Sequence, residues 1–171
     1  MVGFGGRSRR ETEFTAFATS ARRYLARTAY LLTGDQDRAD ELVQETLTRT
    51  YAAWDRVRLD DATGYARRVL VNLSIDERRR RRPIPTEWAD RPFVDRAQDQ
   101  VDDRDQAARI LATLTPRQRR IVVLRYFDDY TEAQTAECLG ISVGAVKSAC
   151  SRALAGLRAQ HDAPLGKGDQ R

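Results

Sequence analysis

The 171-residue chain predicts an all-α protein, built as two small helical domains joined by an acidic flexible linker. Three observations carry this. Large apolar residues recur at three- and four-residue steps in two blocks, with no alternating strand pattern of useful length. Capping residues and glycines punctuate those blocks at helical intervals. Between the blocks, Pro83 to Gln106 carries three prolines and seven acids against three arginines, with too few large apolar residues to bury a core. A composition of 41% hydrophobic and 32% charged residues describes a soluble, foldable chain, and the formal net charge of +5 favours a polyanionic partner. No apolar run approaches the ~18 residues of a membrane span, so no membrane insertion is expected. The basic start MVGFGGRSRR lacks the apolar centre of a signal peptide.

Residues 1–12 are expected to form a flexible leader, and residues 13–82 the first domain. Phe14, Phe17, Ala21, Tyr24, Leu25, Leu31 and Leu32 mark one amphipathic helix, which Gly34 breaks. Ala39, Leu42, Val43, Thr46, Leu47, Thr50, Tyr51 and Trp54 mark a second, the clearest periodicity in the chain. Asp40, Glu41, Gln44, Glu45 and Thr48 fall on its other face. Asp61 to Gly64 reads as a turn. Tyr65, Ala66, Val69, Leu70 and Leu73 then open a third helix that runs into five consecutive arginines, Arg78 to Arg82.

After a linker over 83–105, the second domain is expected over 106–158, followed by a polar tail over 159–171. Ala107, Ile110, Leu111 and Leu114 make its first buried stripe. Thr115-Pro116-Arg117-Gln118 is a helix start, with a Thr cap, Pro in the first helical position and Gln closing a capping box. Ile121, Val122 and Leu124 fill the next stripe, and Asp128-Asp129 ends it.

Thr131 to Leu157 then reads as a helix-turn-helix. Thr131 and Gln134 form a second capping box, Ala133, Ala136 and Leu139 follow at helical spacing, and Gly140 stops the helix. Ser142 caps a second helix whose buried stripe is Val146, Cys150, Ala153, Leu154 and Leu157. Lys147, Ser148, Ser151 and Arg152 remain on the open face, a mix that suits phosphates and base edges.

The remaining features weigh against catalysis. The lone histidine, His161, lies in the polar tail, and there is no glycine-rich phosphate loop or carboxylate cluster of metal-like context, so neither cofactor nor metal is expected. Cys138 and Cys150 read as small apolar filler in a reducing compartment. Taken alone, the acidic face Asp40–Glu41–Gln44–Glu45 is an ordinary solvated face. Arg78–Arg82 fits a solvated helix end, a localisation signal or a phosphate backbone; the last best offsets the self-repulsion of five arginines.

Together these segments resemble an RNA polymerase sigma factor of the extracytoplasmic-function type, in the sigma-70 family. Asp37 to Val57, DRADELVQETLTRTYAAWDRV, looks like the family's core-polymerase-binding helix. Ala62 to Arg82, ATGYARRVLVNLSIDERRRRR, resembles the part that opens and reads the promoter −10 element. Leu114 to Arg158 is similar to the domain that reads the −35 element. The resemblance implies that Asp40, Glu41, Gln44 and Glu45 dock on the β′ coiled coil, with the β flap as a second polymerase contact. It places Asn72 near a flipped −10 base, Arg67, Arg68, Arg78, Arg79, Arg80, Arg81 and Arg82 on phosphates, and Ser142, Lys147, Ser148, Ser151 and Arg152 at the −35 element. The linker would thread toward the polymerase active site. An anti-sigma factor is among the implied partners, with a cytoplasmic location that becomes nucleoid-associated in the active state. Where relatives often carry bulkier or basic residues in the recognition helix, this chain has Ala149 and Ser151. The short polar tail is read as leaving no room for an added C-terminal domain.

Two other classes fit parts of the pattern. A free-standing helix-turn-helix regulator would bind paired half-sites as a dimer, and no extra dimerisation helix is visible. An interaction protein using the acidic helix would leave the basic recognition helix unexplained.

Overall fold

A computed structural model describes residues 4–57, 61–80 and 103–161, and among them there are helices and no strand. The helices are α1 (Phe4–Thr33), α2 (Gln36–Ala52), α3 (Ala62–Arg80), α4 (Asp103–Ala112), α5 (Pro116–Tyr126), α6 (Glu132–Leu139) and α7 (Val143–His161), with a 3-10 turn at Trp54–Arg56. The chain divides into two compact units, Met1–Leu111 and Ala112–Arg171. Most of the acidic linker, residues 83–102, lies outside the described residues, as do Arg81, Arg82 and residues 162–171 of the tail.

In the first unit α2 packs on both α1 and α3. The α1–α2 corner forms as its residues dictate. Gly34 sits at φ 70°, and Asp35 caps α2 by accepting the Arg38 amide at 2.9 Å. Leu25, Leu31, Leu70 and Val71 are fully buried. Thr46 and Thr50 are buried too, because each hydroxyl returns its hydrogen bond to a carbonyl one turn back, at 2.7 and 2.8 Å. Phe14 packs its ring edge-on against Trp54 at 5.1 Å, with Phe17 on the same indole.

Four expectations are corrected by this unit. The leader is helical from Phe4: α1 extends back through it, held by Arg10, which donates to the Tyr51 carbonyl at 2.6 Å, pairs with Asp55 at 3.1 Å and lies over the Tyr51 ring. Ala62–Gly64 is the first turn of α3 rather than a loop, and Asp61 directly precedes it. Residues 103–105, assigned to the linker, open α4, and α4 belongs to the first unit. Tyr30 donates to Asp105 at 2.8 Å, and Arg104 donates to Gln36 at 2.8 Å while covering the Tyr30 ring at 4.3 Å. Burial, and then the Asp105 carboxylate, push the Tyr30 phenol above its ordinary value. Ala108 and Leu111 are buried, but Ile110 is 45% exposed rather than part of the stripe.

The second unit contains α5, α6 and α7. Both expected capping boxes are present, with Thr115 and Thr131 each accepting the amide three residues on while the Gln side chain reaches back. Gly140 adopts φ 62°, and Ile141 donates to the Ala136 carbonyl at 3.0 Å, closing α6. The core joins Ile121, Ala136, Val146 and Ala149, with Leu139, Ile141 and Cys150 packed against it. Ala133 is exposed; the buried side of α6 is Thr135, Ala136 and Cys138. The tail is helical as far as His161.

Candidate nucleic-acid interface

Helix α7 is amphipathic with a narrow apolar side. Val146, Ala149 and Ala153 are buried, while Lys147, Ser148, Ser151 and Arg152 are exposed, as the spacing required. Ala149 is only 4% exposed, so its small size serves the packing against Ile121 and Ala136 and it takes no part in the open face. The Ser142 hydroxyl accepts the Ala145 amide at 3.2 Å and so caps the helix. Lys147 is held from the side: its Nζ lies 3.6 Å from Glu132 in the first turn of α6. Sequence reasoning missed Glu132, because the pair spans the turn between helices. It also missed Val143, 39% exposed at the tip of α7.

The two cysteines are free. Burial pushes the Cys150 thiol up, against the opposing pull of Arg125, which keeps it a neutral packing group. Cys138 is buried. Both placements fit apolar filler.

On α3 the buried residues are Ala62, Ala66, Leu70, Val71 and Leu73. Asn72 is exposed one turn beyond Arg68, on the same face. Arg68 donates to Asp61 at 2.9 Å, and half-buried Arg67 stacks over the Tyr24 ring at 5.1 Å. Tyr65 and Val69, among the residues that opened the expected third helix, are half-buried and share the Arg68–Asn72 face. The backbone of Arg78, Arg79 and Arg80 continues α3.

On α2, Asp40, Glu41, Gln44 and Glu45 are all exposed on one face, opposite buried Ala39, Leu42, Val43 and Thr46. Gln36 donates to Asp40 at 3.0 Å, and Arg49 to Glu45 at 2.7 Å. The face borders a groove of about 500 Å³ between α1 and α2, lined by Phe14, Ala26, Val43, Leu47 and Tyr51 with Arg22, Asp40, Gln44 and Thr48 as its polar residues. The periodicity revealed the acidic face and not the apolar groove beside it, since Phe14 and Tyr51 meet only in the fold.

The arrangement presents an acidic, groove-bearing face and a basic helix on separate units of one chain. Known proteins show the same order of parts. The sigma-70 region 2 model matches residues 8–84, and the sigma-70 region 4 model residues 104–157. The second match begins in α4, which packs with the first unit, so the family boundary and the compact unit differ by that helix. The RNA polymerase sigma-E factor of Streptomyces avermitilis is 40% identical over 151 residues, covering 85% of this chain and 83% of the relative. The extracytoplasmic-function sigma factor SigM of Mycobacterium tuberculosis is 33% identical over 172 residues, covering 91% of this chain and 87% of the relative. The fold matches the sigma factor RpoE of Bartonella quintana, solved with the anti-sigma factor NepR, at a TM-score of 0.67 and 22% identity over 88% of this chain and 98% of that one. It also matches CnrH, solved with the cytosolic domain of CnrY, at a TM-score of 0.64 and 22% identity over 88% of each chain. The chain belongs to the sigma-70 family, in its extracytoplasmic-function group, and directs promoter-specific initiation by RNA polymerase.

Proposed function

We propose that the three faces divide this work among named residues. Asp40, Glu41, Gln44 and Glu45, with the adjoining groove, dock on core RNA polymerase at its β′ coiled coil, with the β flap as the second contact. The observation that carries this assignment is the exposure of those four residues on one helix face beside an apolar groove. Such a face repels phosphate and fits a protein surface that offers cations around apolar side chains.

Asn72 receives a flipped −10 base, with Arg68 and the arginines from Arg78 to Arg82 on the flanking phosphates. Arg67, engaged with Tyr24, supports the face from its edge. Extruding a base costs a few kcal/mol of stacking, and the half-buried Tyr65 ring on the same face supplies a surface that offsets part of it. Ser142, Lys147, Ser148, Ser151 and Arg152 read the −35 element. Two weak readers on one polymerase gain by effective concentration. The chain performs no catalysis in this reading; it acts in the cytoplasm and moves to the nucleoid when active. No helix among the described residues is long and apolar enough to cross a membrane. The sigma factor RpoE, which shares this fold, was solved in complex with the anti-sigma factor NepR. An anti-sigma factor covering the α2 face would block core docking and silence this chain.

Gel filtration with purified core polymerase tests the docking face. The wild-type chain co-elutes with core, and the double variant Glu41→Lys, Glu45→Lys elutes alone with its helical circular dichroism intact. Co-elution of that variant at wild-type affinity overturns the assignment. A wild-type chain that runs free of core and binds duplex DNA as a dimer would instead support the free-standing regulator.

A further inference from the structure

We propose that Val143, set beside the bare backbone of Gly144 in the first turn of α7, recognises the C5 methyl group of a thymine in the −35 element. The inference rests on α7 being the −35 reader. Val143 is 39% exposed, and of the large apolar side chains left open among the described residues, which include Ile110 and Tyr126, it is the one on α7. Val143, Lys147 and Ser151 follow at four-residue steps, so the valine heads the exposed ridge that carries the polar contacts rather than the buried Val146–Ala149–Ala153 side.

Gly144 supplies a second observation. Glycine is a poorer helix former than alanine, by about 1 kcal/mol at interior positions and less in a first turn, so its presence calls for a reason. Its φ is not positive, and a Cβ there would meet nothing closer than the Ser142 hydroxyl at 4.0 Å. Neither backbone geometry nor internal packing demands glycine. The space that it leaves open lies outside the protein, next to Val143.

Charge selects the occupant. From Val143 to His161 the helix holds no acidic residue, and Lys147 and Arg152 stand on its exposed side. Recognition helices set their N-terminal residues on base edges in the major groove. There thymine alone displays a methyl group, and an apolar side chain is its natural contact. A valine with no Cβ on the following residue can approach that methyl closely.

The test uses holoenzyme reconstituted from core polymerase and the full chain. It selects −35 sequences from a randomised library, and each thymine in the selected element is then replaced by deoxyuridine, which removes only the methyl group. In the wild type one replacement weakens binding about fourfold, the equivalent of one buried methyl at about 0.8 kcal/mol. In Val143→Ala, which keeps wild-type melting and core binding, the same replacement becomes silent. Gly144→Ala raises the melting temperature of the free chain and weakens −35 binding, opposite signs that a purely structural glycine would not give. A selected element without thymine, or identical deoxyuridine profiles in wild type and Val143→Ala, overturns the proposal. If Lys147→Ala still weakens −35 selection in that case, α7 stands as the reader and only the valine assignment falls. Selection unaffected by both Lys147→Ala and Arg152→Ala overturns the underlying reading as well.

Discussion

Glu132→Gln should tighten binding to a −35 duplex and make it more sensitive to salt. In the free chain the Lys147 ammonium lies 3.6 Å from the Glu132 carboxylate, with the lysine side chain 63% and the glutamate side chain 36% exposed. That degree of exposure keeps the pair weak, on the order of 0–1 kcal/mol. DNA must nevertheless compete with it for Lys147, and must accept a carboxylate near its backbone. Replacing Glu132 with its isosteric amide removes both penalties, so affinity should rise about twofold to fivefold at low salt. One more uncompensated cation at the interface should also steepen the slope of log K against log salt by about 0.9. Fluorescence anisotropy of the full chain on a labelled duplex, between roughly 50 and 200 mM salt, measures both quantities. The gain should vanish in a Lys147→Ala background, which isolates the pair from any general charge effect. If Glu132→Gln weakens binding, or strengthens it equally without Lys147, the carboxylate orients the lysine or acts elsewhere. The competition argument would then be wrong.

Arg10→Ala should destabilise the first unit by about 2 kcal/mol in urea unfolding, because it removes a hydrogen bond to the Tyr51 carbonyl, an ion pair to Asp55 and the stacking on Tyr51. The −35 contacts of the second unit should be untouched. Tyr30→Phe should loosen α4 by about 1 kcal/mol, read as faster amide exchange over residues 104–111, since Asp105 loses its donor. The same contact sets a pH dependence. The folded-state pKa of Tyr30 is raised above the ordinary 10.0, so its contribution is complete below about pH 10 and is lost as pH rises through the folded value. Protection of α4 should fall in that alkaline window in the wild type and show no such step in Tyr30→Phe.

What was legible in the chain was local. Thr115 with Gln118, Thr131 with Gln134, and the glycines at 34 and 140 each act through partners within a few residues, and each appears as expected. What was illegible depended on distant partners. Arg10 finds Tyr51 forty-one residues away, and Tyr30 finds Asp105 seventy-five away, so neither the early start of α1 nor the attachment of α4 could be heard in periodicity. Residue type misled at the margins as well. Ala133 entered the helical spacing because it is apolar, and Thr135 did not because it is polar, yet Thr135 is fully buried and Ala133 exposed.

The candidate site divides along the same line. The acidic face of α2 and the basic face of α7 were readable because an amphipathic helix announces its exposed side by its polarity. The groove beside Asp40, the Glu132–Lys147 pair and the burial of Ala149 were not, since each is made by two helices meeting. This asymmetry points to where new function should be sought. A helix in so small a unit buries one narrow stripe, and everything outside it is free to answer to a partner. On α7 that stripe runs through Val146, Ala149 and Ala153, so the size of Ala149 reports on Ile121 and Ala136 and says nothing about DNA. Val143 and Gly144 lie off the stripe: the valine is 39% exposed, and a Cβ at the glycine would meet nothing closer than the Ser142 hydroxyl at 4.0 Å. Residues that the core does not explain are the ones whose identity a promoter can have selected.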